Sequence, residues 1–127
     1  MISGEDLKSM GYFEMFDSNG DPKNAMALYS DWVEEKIMTK GVTRQMENTL
    51  GLVGEAGEVA EKLKKSLRDN TNLDVQDMKK ELGDVLFYLA ALANLYQSSL
   101  QEVAELNMEK LNSRQKRGKM NGSGDNR

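Results

Sequence analysis

Hydrophobic residues recur at helical spacing along most of this chain, and the alternation typical of strands is scarce. Between residues 25 and 37 they form one stripe, which predicts a first helix and consists of Met26, Tyr29, Val33 and Ile37. Asp21 is expected to cap this helix, with Pro22 in its first position. Gly41 is expected to end it.

A second helix is predicted from Thr43, as its cap, to about Leu67. Its apolar stripe consists of Leu52, Ala56, Val59, Ala60, Leu63 and Leu67. A third helix is predicted from Asp74, again as a cap, to about Tyr96. Its segment 85–93 is apolar on every side, which is typical of a fully buried helix. The spacing of Ser99 and Glu102 forms a capping box for a fourth helix.

These patterns predict an all-α, four-helix bundle-type domain over residues 21–116. Residues 1–20 show no clear period and are expected to form an irregular N-terminal arm. The glycines of residues 117–127 predict a flexible tail. The chain has 127 residues, enough for one modest core. Because so short a chain carries a helix that is apolar all round, we expect other copies to complete the core, in a homodimer or homotetramer.

The composition excludes several classes of function. The net charge is −4, which argues against nucleic-acid binding, since that requires a basic face. The sequence contains neither cysteine nor histidine. It therefore offers no disulfide, no thiolate or imidazole metal ligand and no histidine base. We see no stretch with the length of a membrane span and no signal sequence, so a cytoplasmic protein without a membrane partner is expected.

Two acid pairs, Glu55 with Glu58 and Glu81 with Asp84, are the main candidate site. Residues three apart lie about 60° apart around a helix, so each pair shares one face. If the two helices pack face to face, four carboxylates meet, and a hard divalent cation such as Mg²⁺ is the natural partner. Such pairs also occur by chance on solvated helices.

Glycines stand at matching places in the two acid pairs. Gly57 and Gly83 each come directly before the second acid. A glycine inside a helix costs about 1 kcal/mol relative to alanine. We therefore expect a close approach of helix backbones, or of a ligand, at this level.

Other residues have both a functional and a structural interpretation. Trp32 and Tyr29 could stack on a nucleobase or belong to the core, and base recognition could depend on these two or on Asn48. Lys65 lies in a basic cluster that could bind phosphate, or could simply complement the helix dipole. Asn107, Lys110 and Arg114 recur at helical spacing and could contact phosphate or sugar, or be exposed polar residues.

The segments GLVGEAGEVAE at 51–61 and KKELGDVLFY at 79–88 resemble the MazG-like all-α nucleoside triphosphate pyrophosphohydrolases. The segment ELNMEKL at 105–111 with Arg114, and the GSGDNR ending, are similar to the family as well. The resemblance covers roughly residues 25–127. It implies a house-cleaning or pool-controlling enzyme that hydrolyses a (d)NTP to the monophosphate and pyrophosphate.

The resemblance also implies a set of site residues. Mg²⁺, or Mn²⁺ as a substitute, would bind to Glu55, Glu58, Glu81 and Asp84. Tyr88, Asn107, Lys110 and Arg114 would contact the substrate. Phosphoryl chemistry needs charge neutralisation and positioning, and a glutamate not fully engaged with metal could act as the base. Glu55 and Glu58 are the candidates for that catalytic role.

The chain departs from the family pattern at one position. Many members carry two adjacent acids at the start of the first motif, and here the first of these is Gly54. The alternative interpretation is therefore a catalytically inactive helical oligomer that binds a nucleotide or another protein.

Overall fold

Among the described residues the fold consists of four helices, α1 to α4, and contains no strand. The computed structural model describes Asn19 and residues 24–118. The helices are α1 (Ala25–Lys36), α2 (Gly41–Arg68), α3 (Val75–Leu95) and α4 (Leu100–Lys116). The all-α prediction is thus confirmed. Most of the predicted N-terminal arm, and the predicted tail beyond Gly118, lie outside the described residues.

Helix α1 is shorter than predicted at both ends. It begins at Ala25, and the side chain of Asn24 accepts a hydrogen bond from the backbone N–H of Ala27 at 2.8 Å. The predicted cap at Asp21 is therefore wrong, and Asp21 and Pro22 lie outside the described residues. The helix ends at Lys36, four residues before the expected end.

Helix α2 begins at Gly41, so the predicted cap at Thr43 is wrong. Gly41 has a φ of +60°, which glycine adopts at little cost. Nearby, Arg44 donates two hydrogen bonds of 2.7 Å to the carboxylate of Glu34 and one of 3.2 Å to the carbonyl of Ala91. This guanidinium joins α1, α2 and α3, and it holds the pKa of Glu34 below its ordinary value.

The caps of α3 and α4 confirm the predictions from sequence. The side chain of Asp74 accepts hydrogen bonds from the backbone N–H groups of the second and third residues of α3, at 3.0 and 3.2 Å. Ser99 accepts from the backbone N–H of Glu102 at 3.0 Å. The carboxylate of Glu102 accepts from the hydroxyl of Ser98 at 2.6 Å, a different donor from the one a capping box uses.

The buried core is small and lies between α1 and α3. Within residues 24–118 it contains five hydrophobic residues, Leu28, Val33, Ala90, Ala91 and Ala93. Trp32 and Phe87 pack against it from the side. In the single chain the apolar segment 85–93 of α3 is not covered on every side, because Leu89 is 41% exposed, so its complete burial by other copies stays a prediction. None of the described helices is long and apolar enough to cross a membrane.

The apolar stripe predicted for α2 is largely uncovered in the single chain. Leu63 and Leu67 are 47% and 73% exposed, and Ala56 and Ala60 are exposed as well. The one buried residue of α2 is Asn48. A second copy that covers this stripe stays a prediction.

Candidate metal centre

Helices α2 and α3 run antiparallel and form the most extensive packing pair among the four helices. At one end Gln45 donates a hydrogen bond of 3.1 Å to the hydroxyl of Tyr96. Towards the other end Lys62 lies 3.6 Å from the carboxylate of Glu81. This arrangement brings the two acidic segments, one on each helix, to the same level.

Three of the four predicted acids meet at this level. One carboxylate oxygen each from Glu55, Glu81 and Asp84 lies within 4.8 Å of the other two. Glu55 and Glu81 are half-buried, while Asp84 is exposed. We call these three residues the acid cluster. Glu81 and Asp84 point to the same place because they are three residues apart on one helix, as the sequence predicted.

The acid cluster carries an electrostatic cost. Partial burial and the neighbouring carboxylates of Asp84, Glu81 and Glu58 raise the pKa of Glu55, because each opposes its ionised form. The pKa of the Tyr29 hydroxyl on α1 is also raised, mainly by burial and in addition by the negative charge of Asp84. The sequence reasoning considered Tyr29 only for stacking or for the core.

The fourth predicted acid, Glu58, lies outside the cluster. It is exposed, yet close enough to contribute to the raised pKa of Glu55. Glu61 follows one turn later and forms exposed ion pairs with Lys64 and Lys65, whose amino groups lie 3.8 and 3.9 Å from its carboxylate. The structure therefore places Lys65 beside Glu61.

Lys62, which the sequence indicated only as a member of the basic cluster around Lys65, contacts the acid cluster. Its amino group lies 3.6 Å from Glu81, and both side chains are partly buried. The available signal was its spacing. Lys62 follows Glu55 by seven residues, which are two turns, so the two share the face of α2 that meets α3.

Within the single chain, the glycines of the acid pairs do not mark a close approach of helix backbones; an approach of a ligand or of another copy stays a prediction. A β-carbon added at Gly57 or Gly83 would meet nothing within 4 Å in the described chain, and the same holds for Gly54. The tight contact lies one turn earlier on α2. A β-carbon at Gly51 would overlap the ring of Tyr88, so Gly51 is the glycine that packing requires.

The two aromatic candidates differ in their positions. Tyr88 follows Asp84 by one turn and packs edge-to-face on Phe87, with ring centroids 5.3 Å apart. Trp32 lies between Tyr29 and Phe87, at centroid distances of 5.8 and 6.1 Å. This environment favours the core interpretation of Trp32.

The three candidates on α4 are spread over differently exposed positions. Asn107 is exposed, Lys110 is half-buried, and Arg114 is only 4% exposed. Helix α4 packs on α1 and α3. A role of these residues in substrate binding stays a prediction.

Comparisons with known proteins agree with this geometry. The family model described as "MazG nucleotide pyrophosphohydrolase domain" matches residues 33–118. The gene 37 protein of Mycobacterium phage L5 is 52% identical over 83 residues, which make up 62% of this chain and 73% of the phage protein. No solved structure is significantly similar to this chain.

Proposed function

The chain belongs to the MazG nucleotide pyrophosphohydrolase family, and we propose that it hydrolyses a ribo- or deoxyribonucleoside triphosphate to the monophosphate and pyrophosphate. Mg²⁺ is the proposed cofactor, with Mn²⁺ as a substitute. The observation that carries this proposal is the convergence of Glu55, Glu81 and Asp84 from two helices. The physiological role that the family resemblance implies, control or cleaning of the nucleotide pool, belongs to the same proposal.

The donor set of the acid cluster fits a magnesium ion. All three side chains offer carboxylate oxygens, which Mg²⁺ prefers. Mg²⁺ binds its ligands in near-octahedral geometry at about 2.1 Å, so ligands on neighbouring corners lie about 3.0 Å apart. Three oxygens within 4.8 Å of one another therefore need to move by roughly 1 Å each to share an ion. A cation would also offset the repulsion that raises the pKa of Glu55.

Each residue near the cluster has a proposed role in the reaction. When bound, Mg²⁺ supplies charge neutralisation for the phosphates and lowers the pKa of a coordinated water. Glu58, exposed beside Glu55, is placed to complete the ligand set or to accept the proton of the attacking water. Lys62, which contacts Glu81, is a better candidate than Lys65 for holding the phosphates of the substrate.

We also propose that the functional unit is a homo-oligomer. Met46, Leu50, Val53 and Leu67 lie on one side of α2 and are 58%, 66%, 66% and 73% exposed. Together with Gly57, Ala60 and Lys64 they follow each other at steps of three and four residues, the spacing of a helix–helix seam. A second copy is a fitting partner for such a stripe. The same observation supports the alternative function, a helical oligomer that binds a nucleotide or protein without turnover.

The experiment that tests the function is product analysis. The protein is incubated with Mg²⁺ and a panel of nucleoside triphosphates and their deoxy forms, and the products are separated. We expect monophosphate and pyrophosphate. Diphosphate with phosphate would contradict the proposed scissile bond. Binding of Mg²⁺ and nucleotide without turnover would favour the binding module instead.

Matched variants test the metal assignment. Glu81→Gln and Asp84→Asn should abolish both turnover and the gain in thermal stability on adding Mg²⁺. The controls are Glu61→Gln on α2 and Asp77→Asn on α3, which change the same groups outside the acid cluster. An unchanged Mg²⁺ response in the cluster variants would contradict the proposed ligands.

A further inference from the structure

Glu81 takes part in two arrangements at the same time. One of its carboxylate oxygens belongs to the acid cluster, together with oxygens of Glu55 and Asp84. The amino group of Lys62 lies 3.6 Å from the same carboxylate, and the side chains of Lys62 and Glu81 are 34% and 19% exposed. The pair is partly shielded from water, which strengthens the attraction between its charges. Lys62 therefore supplies positive charge to the acid cluster.

The side chain of Lys62 has room to leave this contact. Within residues 24–118, Glu81 is the one acid at ion-pair distance from Lys62. Lys62 also lines a cavity of about 200 Å³ at the connection between α2 and α3, together with Lys65, Ser66 and Asp77. A lysine carries its ammonium group on a flexible four-carbon stem. Its amino group can thus move from Glu81 into the cavity without displacing other side chains.

A divalent cation and Lys62 compete for Glu81. Both are attracted to the same carboxylate, and two positive charges held side by side oppose each other. The acid cluster brings three carboxylates together, and a doubly charged ion offsets their repulsion better than one ammonium group does. Binding of a divalent cation therefore favours the release of Lys62 from Glu81.

We propose that Lys62 is a built-in counter-ion of the acid cluster, that a divalent cation displaces it from Glu81, and that the released amino group then binds a phosphate of the substrate. The inference rests on the proposed metal site and nucleotide substrate, and it links their binding. Without metal, Lys62 is engaged by Glu81. With metal it is available to a phosphate, and such charged contacts are among the stronger hydrogen bonds. Each ligand thus raises the affinity for the other.

The first test measures two affinities in three proteins. These are the natural sequence, Lys62→Met, which keeps an unbranched stem without the charge, and the control Lys64→Met, which removes an exposed ion pair with Glu61 on the same helix. Calorimetry gives the affinity for Mg²⁺ alone and, at saturating Mg²⁺, for a non-hydrolysable nucleoside triphosphate analogue. Lys62→Met should bind Mg²⁺ about two- to fivefold more tightly, because a partly exposed competing ion pair is lost. It should bind the analogue about tenfold more weakly, because a charged donor is lost.

The control should change neither affinity, and the opposite signs in Lys62→Met separate this inference from a general loss of structure. An affinity for Mg²⁺ that is not tighter, or an affinity for the analogue that is not weaker, would overturn the inference. The proposed function would still stand in that case if Glu81→Gln abolished Mg²⁺ binding. If the natural sequence bound no Mg²⁺, the proposed metal site would fail and the inference with it.

The second test follows Lys62 in the natural sequence. The protein is treated briefly with a trace of acetic anhydride, and the acetylation of each lysine is quantified by peptide mass spectrometry. An amino group held in an ion pair is less available to the reagent, so Mg²⁺ should raise the acetylation of Lys62 by about two- to fivefold. Pyrophosphate added with Mg²⁺ should lower it again, while Lys64 should stay constant. If Mg²⁺ stabilised the protein against unfolding but left the acetylation of Lys62 unchanged, the displacement would be overturned. A failure of pyrophosphate to protect Lys62 would overturn its contact with phosphate.

Discussion

The contact between Gly51 and Tyr88 can be tested by substitution, because Gly54 and Gly57 on the same helix serve as controls. Replacing Gly51 by alanine places a methyl group where the ring of Tyr88 lies. At Gly54 and Gly57 the same methyl group meets nothing within 4 Å. All three glycines lie inside one helix, so the change in backbone preference is the same at each.

The expected magnitudes follow from two opposing effects. Alanine in place of a helical glycine stabilises by about 0.8–1.0 kcal/mol, and Gly54→Ala and Gly57→Ala should gain this amount. Overpacking typically costs about 1–3 kcal/mol. Gly51→Ala should therefore range from about neutral to a loss of about 2 kcal/mol. In a domain of this size, 1 kcal/mol corresponds to roughly 4–8 °C in Tm.

Urea and thermal unfolding of the three variants, at one protein concentration, measure these differences. A constant concentration is needed because self-association shifts apparent stability. Gly51→Ala should unfold at least ~4 °C below Gly54→Ala. If all three variants gained the same stability, the packing of Tyr88 on Gly51 would be refuted. A loss confined to Gly57→Ala would instead indicate a second copy on the exposed stripe.

Two further predictions concern charged groups. The pKa of Glu55 is raised above its ordinary value of about 4.5, so the folded state favours its protonated form. Without metal, stability should fall as pH rises through the raised value. With chelator present, Glu55→Gln should therefore be more stable than the natural sequence near neutral pH. The difference in stability should disappear below the ordinary glutamate pKa. Thermal unfolding measured across this pH range checks both statements. Glu34→Gln should lower the free energy of unfolding in urea by about 1 kcal/mol. Arg44→Leu should lower it further, because the carbonyl of Ala91 also loses its hydrogen-bond donor. The lowered pKa of Glu34 means that its contribution is lost as pH falls through that value. The control is Arg68→Leu, which removes the exposed ion pair with Asp69. A loss of stability in this variant equal to that of the Glu34 and Arg44 variants would contradict the prediction.

The helices that sequence predicted best are those with a local signal at the N-terminal end. Asp74 and Ser99 cap α3 and α4 as expected, because a cap requires only residues within one turn. The region around Gly41 shows where local signals fail. A glycine with positive φ commonly follows the end of a helix, but here it opens the next one. Beside this junction Arg44 donates hydrogen bonds to Glu34 and to the carbonyl of Ala91, and this contact joins three helices but leaves no local pattern.

The candidate site was predictable in its residue types and spacing. The repeated acid pairs indicated two helices that share a polar level, and the structure brings Glu55, Glu81 and Asp84 together there. Lys62 was predicted only as one member of the basic cluster around Lys65, since its importance depends on the contact with Glu81 across α2 and α3. Periodicity shows which residues share a face, but it does not show which face meets the neighbouring helix.

The orientation of α2 connects the proposed site with the proposed oligomer. Asn48, Glu55 and Lys62 follow each other at seven-residue steps and turn one polar face of α2 towards α3. Val53 and Leu67 lie on the other side, 66% and 73% exposed. A helix of a monomeric protein ordinarily turns its apolar side inwards, and here the acid cluster takes that place. If the site dictates this orientation, the apolar side needs cover from outside the chain, and disrupting it with Val53→Asp should lower the oligomeric state measured by light scattering. A monomer in both proteins would contradict this argument.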